Sequence, residues 1–161
     1  GNHCKIIRDY HGEEALAKTL AKDSIGGQWA IDIKHSDPAL YEHLSILIFR
    51  NSYNAITLET ARGRVGLMHA QAPDDWNDII NDNVSEQVLF DCLWSHEKYT
   101  APIDTLAPIK NIDMVVHGHT NSSEIVVKHN MVWIDTLFNG GGITMMDVND
   151  LFDLVNAKGN L

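Results

Sequence analysis

Apolar residues recur along this chain with two different periods, and the change from one to the other marks its plan. From Glu13 to Lys22, Ala15, Leu16, Thr19 and Leu20 fall at helical spacing, with Glu13 and Glu14 near the start, where acidic side chains suit the helix dipole. Ser24-Ile25-Gly26-Gly27-Gln28-Trp29 interrupts this pattern with a glycine pair followed by an aromatic. Asp37-Pro38 then makes a helix start, Asp as the cap and Pro at the first helical position. Leu40, His43, Leu44, Leu47 and Ile48 form one apolar face of a helix expected to run to about Arg50. After Asn54 the period drops to two. Asn54 to Thr60 and Val65 to His69 read as paired strands joined by an Ala61-Arg62-Gly63-Arg64 turn.

The second half alternates in the same way. Val84-Ser85-Glu86 through Trp94 reads as a helix with Val88, Leu89, Cys92 and Leu93 inward, and Pro102 and Pro108 mark an irregular connection. The run Asp113-Met114-Val115-Val116 is a short buried strand that ends in His117-Gly118-His119-Thr120. Glu124 to Lys128 and Met131 to Thr136 form a hairpin about His129-Asn130. Asn139-Gly140-Gly141-Gly142 breaks the chain, Ile143 to Val148 reads as a last strand, and Asn149-Asp150 opens a closing helix, Leu151 to Ala157. At the other end, Gly1-Asn2-His3-Cys4 has the composition of a turn. With no repeats, low-complexity tracts or internal linkers, residues 1–161 are expected to form a single α/β domain.

Composition narrows the partners. A chain of 161 residues, 44% hydrophobic and 21% charged, can bury a substantial core. Its formal charge of -10 argues against a general nucleic-acid binder, which needs basic patches. There is no apolar run of membrane-spanning length and no basic-then-apolar leader, so no membrane partner is expected. Cys4 and Cys92 make neither a disulfide framework nor a metal knuckle, which suits a reducing cytoplasm.

The candidate chemistry lies in the histidines. His69 and His119 each follow a buried aliphatic run and precede loop residues, and ligands of α/β sheets sit at such carboxyl ends of strands. Imidazole is the commonest metal-binding side chain, and Gly118 lets the backbone turn tightly. Asn2 and His3 add an amide oxygen and a further imidazole, donors that divalent ions gather from separate loops. His117, two residues before His119, would share its side of the strand and could face the same ligand, or stand as a partly exposed strand-end residue. His11, His35, His43 and His129 read as surface or helix residues.

Taken in order, Gly1-Asn2-His3, Gly66-Leu67-Met68-His69-Ala70, Gly118-His119-Thr120 and Ile134-Asp135-Thr136 resemble the later motifs of the calcineurin-like metallophosphoesterases. Within these, the resemblance is to the phosphoprotein phosphatases, nearest the bacterial and bacteriophage-lambda-type serine/threonine phosphatases. Gly26-Gly27-Gln28-Trp29 and Trp94-Ser95-His96-Glu97 also resemble that subgroup, so the likeness covers essentially the whole chain. It implies a metallophosphoesterase-type β-sandwich flanked by helices, with two divalent metal ions, manganese foremost and iron or zinc as alternatives. Asn2, His69 and His119 would be ligands of the second ion, His3 the protonating histidine and His96 a substrate-side residue; His117 has no role in the family pattern and is counted on the substrate side only by its place on the strand. The implied reaction is hydrolysis of a phosphorylated protein or small phosphomonoester. A metal-bound hydroxide attacks in line, and His3 protonates the leaving alkoxide.

The chain departs from the family pattern in three ways. The family's Asp-x-His and Gly-Asp-x-x-Asp-Arg motifs are absent, because the sequence begins after them. The expectation is therefore a C-terminal portion lacking its N-terminal βαβ part, poorly active by itself and exposing sheet edge and apolar surface. Cys4 stands where the family has Glu, removing a charge, and His96 stands where the subgroup has a phosphate-contacting Arg, whose fixed fork His lacks. These departures open the alternative of a degenerate, non-catalytic relative acting as a binding or scaffold module. A mononuclear metal-binding domain using Asn2, His69 and His119 is a third reading.

Overall fold

The computed structural model describes residues 2, 4–5, 27–81, 83–137 and 140–158. The helix expected over Glu13 to Lys22 and the residue His3 lie outside the described residues. The chain divides into two compact units, Gly1–Tyr53 and Asn54–Leu161.

In the first unit, α1 (Gln28–Ser36) and α2 (Pro38–Asn51) share Asp37 as their junction. Its backbone N–H donates to the Ile33 carbonyl (2.8 Å), closing α1, while its carboxylate accepts from the Leu40 N–H (2.9 Å), opening α2. One residue thus satisfies orphan groups at two helix ends, and Pro38 supplies the helical φ. Sequence periodicity misses α1, whose Ile31 and Ile33 are spaced by two. The apolar face assigned to α2 also needs correction. Leu40 (42% exposed) and Leu47 (45%) face outward, while Tyr41 and Ser45 are buried and Leu44 and Ile48 half-buried. The buried stripe is rotated by one residue because Ala30 and Tyr41 form the small core between the two helices, with Ile31, Ile33 and Ile48 around them. Asn2, Cys4 and Lys5 are helical rather than in the expected turn; the turn preference of Asn is weak enough for context to override it.

The second unit is a mixed α/β structure built on one five-stranded sheet. Strands β1 (Ala55–Thr60) and β2 (Gly63–Met68) form an antiparallel hairpin in which Thr60 faces Gly63 across the two-residue loop Ala61-Arg62. Gly63 takes φ +139°, a conformation that favours glycine. Helices α3 (Asn77–Ile80), α4 (Glu86–Trp94) and α5 (Glu97–Thr100) and a 3₁₀ turn at Ile103–Thr105 lead to β3 (Met114–His117). The hairpin β4 (Val126–Lys128) and β5 (Met131–Trp133) follows, and α6 (Val148–Lys158) closes the chain. Strand order is β1-β2-β3-β5-β4, with β2, β3 and β5 mutually parallel. Three carboxyl ends therefore open on the same edge of the sheet.

The central strand is buried on both faces, as parallel strands are. Val115 joins the layer of Met68, Trp76, Ile79, Cys92, Met131 and Trp133, while Met114 and Val116 join Val65, Val132, Leu151 and Phe152 on the other side. Trp76 lies directly on Gly66, and its indole N–H donates to the Thr57 hydroxyl (2.8 Å). The strand expected at Ile143 to Val148 does not form. Its alternation meets no ladder: Thr144 is held instead by the Thr136 hydroxyl (2.7 Å), and Ile143 (78% exposed) and Met145 (90%) point outward. Among the described residues no helix is long and apolar enough to cross a membrane.

The Gly66 contact gives a stability prediction. A Cβ at position 66 would stand 2.6 Å from the Trp76 ring, whereas one at Gly142 meets nothing within 4 Å. Gly66→Ala should destabilise the protein by about 1–3 kcal/mol, the usual penalty of overpacking, and Gly142→Ala should leave denaturant midpoints nearly unmoved. Equal midpoints for the two variants would refute the packing argument.

Candidate functional site

Helix α4 begins conventionally, with the Ser85 hydroxyl accepting from the Val88 N–H (3.2 Å). Its other end is more informative. The last four carbonyls of a helix have no partner within it, and here they hold the segments that carry the histidines. The Cys92 carbonyl accepts from the Ala70 N–H (2.9 Å) and the Asp91 carbonyl from the Gln71 N–H (3.2 Å), fixing the chain just after His69. The Trp94 carbonyl lies 3.3 Å from Nε2 of His119.

His69 and His119 are brought side by side. Their ring centres are 4.8 Å apart and the rings are inclined at 58°. His69 follows the end of β2, and His119 follows the end of the adjacent parallel strand β3. The Gly118 N–H donates to the His69 carbonyl (3.0 Å), tying the two strand ends together. His119 itself takes φ +63°, a left-handed conformation uncommon for a residue with a side chain. Both rings are half-buried.

His117 is placed differently from either expectation. It is 1% exposed, not a partly exposed strand-end residue, because the pleat puts it on the face of Val115, inside the tryptophan layer. Its ring stacks on Trp133 (centres 4.9 Å, 20° between planes), and its Nδ1 lies 2.6 Å from the Ala70 carbonyl. A carbonyl can only accept, so Nδ1 carries the proton and donates. Nε2 is buried without a partner among the described residues. Burial pushes the ring's pKa down to about 3; the Ala70 carbonyl opposes this and the Lys98 charge adds to it.

Asn2, buried, belongs to the first unit, as does the half-buried Cys4. His96 is exposed at the N-cap of α5, where its side chain makes no cap hydrogen bond. Among the described residues, no three His, Cys, Asp or Glu side chains come together as a metal-holding group. Sequence reasoning missed the groups that orient the histidines, the carbonyls of Trp94 and Ala70. Backbone acceptors leave no signature in residue identity.

The pair suits one divalent cation. Two imidazoles bound through nitrogen at ~2.1 Å to one ion have ring centres roughly 4.6–5.3 Å apart for ligand angles of about 90–110°, which brackets the observed spacing. With Nε2–H of His119 donating to the Trp94 carbonyl, Nδ1 keeps the lone pair a metal needs, and metal-binding histidines commonly have their other nitrogen anchored this way. No family model matches the chain, and no curated protein matches it.

The buried ring carries a pH prediction. An unfolded chain protonates His117 near ~6.5, the folded one only near 3. Folding favours the neutral form, so this contribution to stability is complete above the unfolded value and is lost as pH falls toward 3. Its slope reaches at most ~1.4 kcal/mol per pH unit, one proton's worth. Between pH 6 and 4.5, His117→Phe should lose stability less steeply than the parent in urea melts. Parallel curves would exclude the buried neutral ring.

Proposed function

We propose that this protein is a metal-dependent phosphoesterase of the metallophosphoesterase type, hydrolysing phosphomonoesters in the manner of serine/threonine protein phosphatases. The observation that carries the reading is the His69–His119 pair, 4.8 Å apart at the ends of adjacent parallel strands. These are two of the three ligand positions that the motif resemblance assigns to one metal. Asn2 and His3 keep their assigned roles, ligand and proton donor, on the resemblance alone.

In this reading His69 and His119 hold a divalent ion, which supplies Lewis-acid stabilisation of phosphoryl oxygens when bound. The chain's own contribution is preorganisation. Gly118 bonds the two strand ends, the Trp94 carbonyl sets the tautomer and angle of His119, and the Ala70 carbonyl is held by buried His117. The negative end of the α4 dipole lies beside His119 and favours positive charge there. His117 works from inside, through the backbone after His69. Exposed His96 at the start of α5 is the side chain available to contact a phosphate from that direction.

Isothermal titration with manganese and zinc tests the reading, with imidazole NMR to identify the ligands. His69→Ala and His119→Ala should each weaken binding at least tenfold, and any hydrolysis of an aryl phosphate should fall with them. Metal binding indifferent to both histidines would overturn it. Histidine-dependent binding without turnover in a chain carrying the complete motif set would instead support the binding-module alternative.

A further inference from the structure

The tip of the β4–β5 hairpin reaches well beyond its own strands. Three consecutive side chains there, Lys128, His129 and Asn130, all meet main-chain groups of residues 98–112. That stretch consists of the end of α5, the 3₁₀ turn and irregular chain, so its backbone groups must find partners elsewhere. Asn130 accepts from the Ile109 N–H (2.8 Å) and donates to the Ile109 and Ile112 carbonyls (2.9 and 3.1 Å). The Nε2 of His129 lies 3.1 Å from the Ile103 carbonyl.

Lys128 makes the most concentrated of these contacts. An ammonium has three N–H donors and no acceptor, and here the carbonyls of Lys98 (3.3 Å), Tyr99 and Ala101 (2.6 Å) surround it. They stand at the carboxyl end of α5, where carbonyls lack partners within the helix. The ammonium also lies 5.7 Å from the centre of the Tyr99 ring, which packs edge-on against Trp133 (5.6 Å, 75°). The half-buried Lys128 thus grips α5 by its main chain and by one of its rings.

What Lys128 holds bears on His96. Thr100 lies between two of the bonded carbonyls, those of Tyr99 and Ala101. Its N–H donates to the His96 carbonyl (3.1 Å), and its hydroxyl donates to the same carbonyl (3.3 Å). One residue therefore separates the peptide groups that bind the ammonium from the residue that starts the helix. A helix of four residues has almost no stability of its own. The His96 side chain is exposed and makes no cap hydrogen bond, so the placement of α5 decides where the imidazole stands.

We propose that Lys128 is a positioning residue for His96, gripping the end of α5 so that the imidazole at its start is held toward a phosphate. The proposal rests on the reading of His96 as the substrate-side residue. Lys128 acts through the backbone of Thr100 and touches no substrate. Two other roles for Lys128 make different predictions. If its charge alone attracted the anion, its effect would persist without His96. If it served stability alone, its loss would leave phosphate binding unchanged in the folded chain.

Inorganic phosphate titrated calorimetrically into the manganese-loaded chain tests this, together with amide exchange followed by NMR on the metal-free chain. Lys128→Met keeps an apolar stem and removes the donors. It should speed exchange of the Thr100 amide and weaken phosphate binding, each by roughly threefold or more. His96→Gln should weaken phosphate by a similar factor. The double variant should bind it no more weakly than His96→Gln alone, as two residues acting as one unit do. Arg62→Met breaks the ion pair to Asp153 on α6; it controls for general loss of stability and should leave phosphate binding unchanged. Additive losses in the double variant, an unmoved Thr100 amide, or an equal loss of phosphate binding in Arg62→Met would each overturn the proposal alone. A chain that takes up no manganese, or phosphate binding indifferent to His96→Gln, would overturn it together with the reading it rests on. A circular dichroism spectrum matching the parent confirms that the variants are folded.

Discussion

The second unit turns on the carboxyl end of α4. A helix that stops inside a protein leaves carbonyls that must find donors, and this one finds them in the segment after β2 and in the ring of His119. The same requirement therefore anchors the helix to the sheet, sets the path of the chain beyond His69, and orients His119. The positioning of the histidines follows from backbone satisfaction, and needs no side chain kept for that purpose alone.

His117 extends this logic from the other side of the strand. Its Nδ1–H binds the Ala70 carbonyl while the Ala70 N–H binds the Cys92 carbonyl. The peptide groups of Ala70 are thus held from two elements at once. The cost is a buried imidazole nitrogen with no partner among the described residues, a group that would normally destabilise the interior. Stacking on Trp133 and exclusion of water keep the ring neutral, which makes that cost tolerable. A charged ring at this depth would undo the contact.

Much of the second unit is legible in the sequence. The hairpin β1–β2, the helix ending at Trp94, the strand ending at His117 and the hairpin about His129-Asn130 all follow from period and turn chemistry, because each buries its pattern locally. What fails is whatever depends on a partner. Ile143 to Val148 alternates like a strand, but Thr136 captures it. The face of α2 is rotated because Tyr41, amphipathic and ambiguous in a pattern, becomes the residue that meets α1. The adjacency of His69 and His119 was expected only through motif order; the parallel pairing of β2 with β3 that places them together is a long-range fact. His117 shows the limit most clearly. Its position on the strand was legible, whereas its depth depends on Trp133, a residue sixteen positions away with no sequence signal linking the two.

One short segment continues the His69–His119 pair toward α5. From His69 the chain passes Ala70, held by His117 and α4, to Gln71, whose side chain is fixed by the first turn of α5. Both ends of this segment are pinned to carbonyl or amide groups of helices, so it has little freedom to move. Rigid strand ends suit a metal, which tolerates only small errors in ligand position.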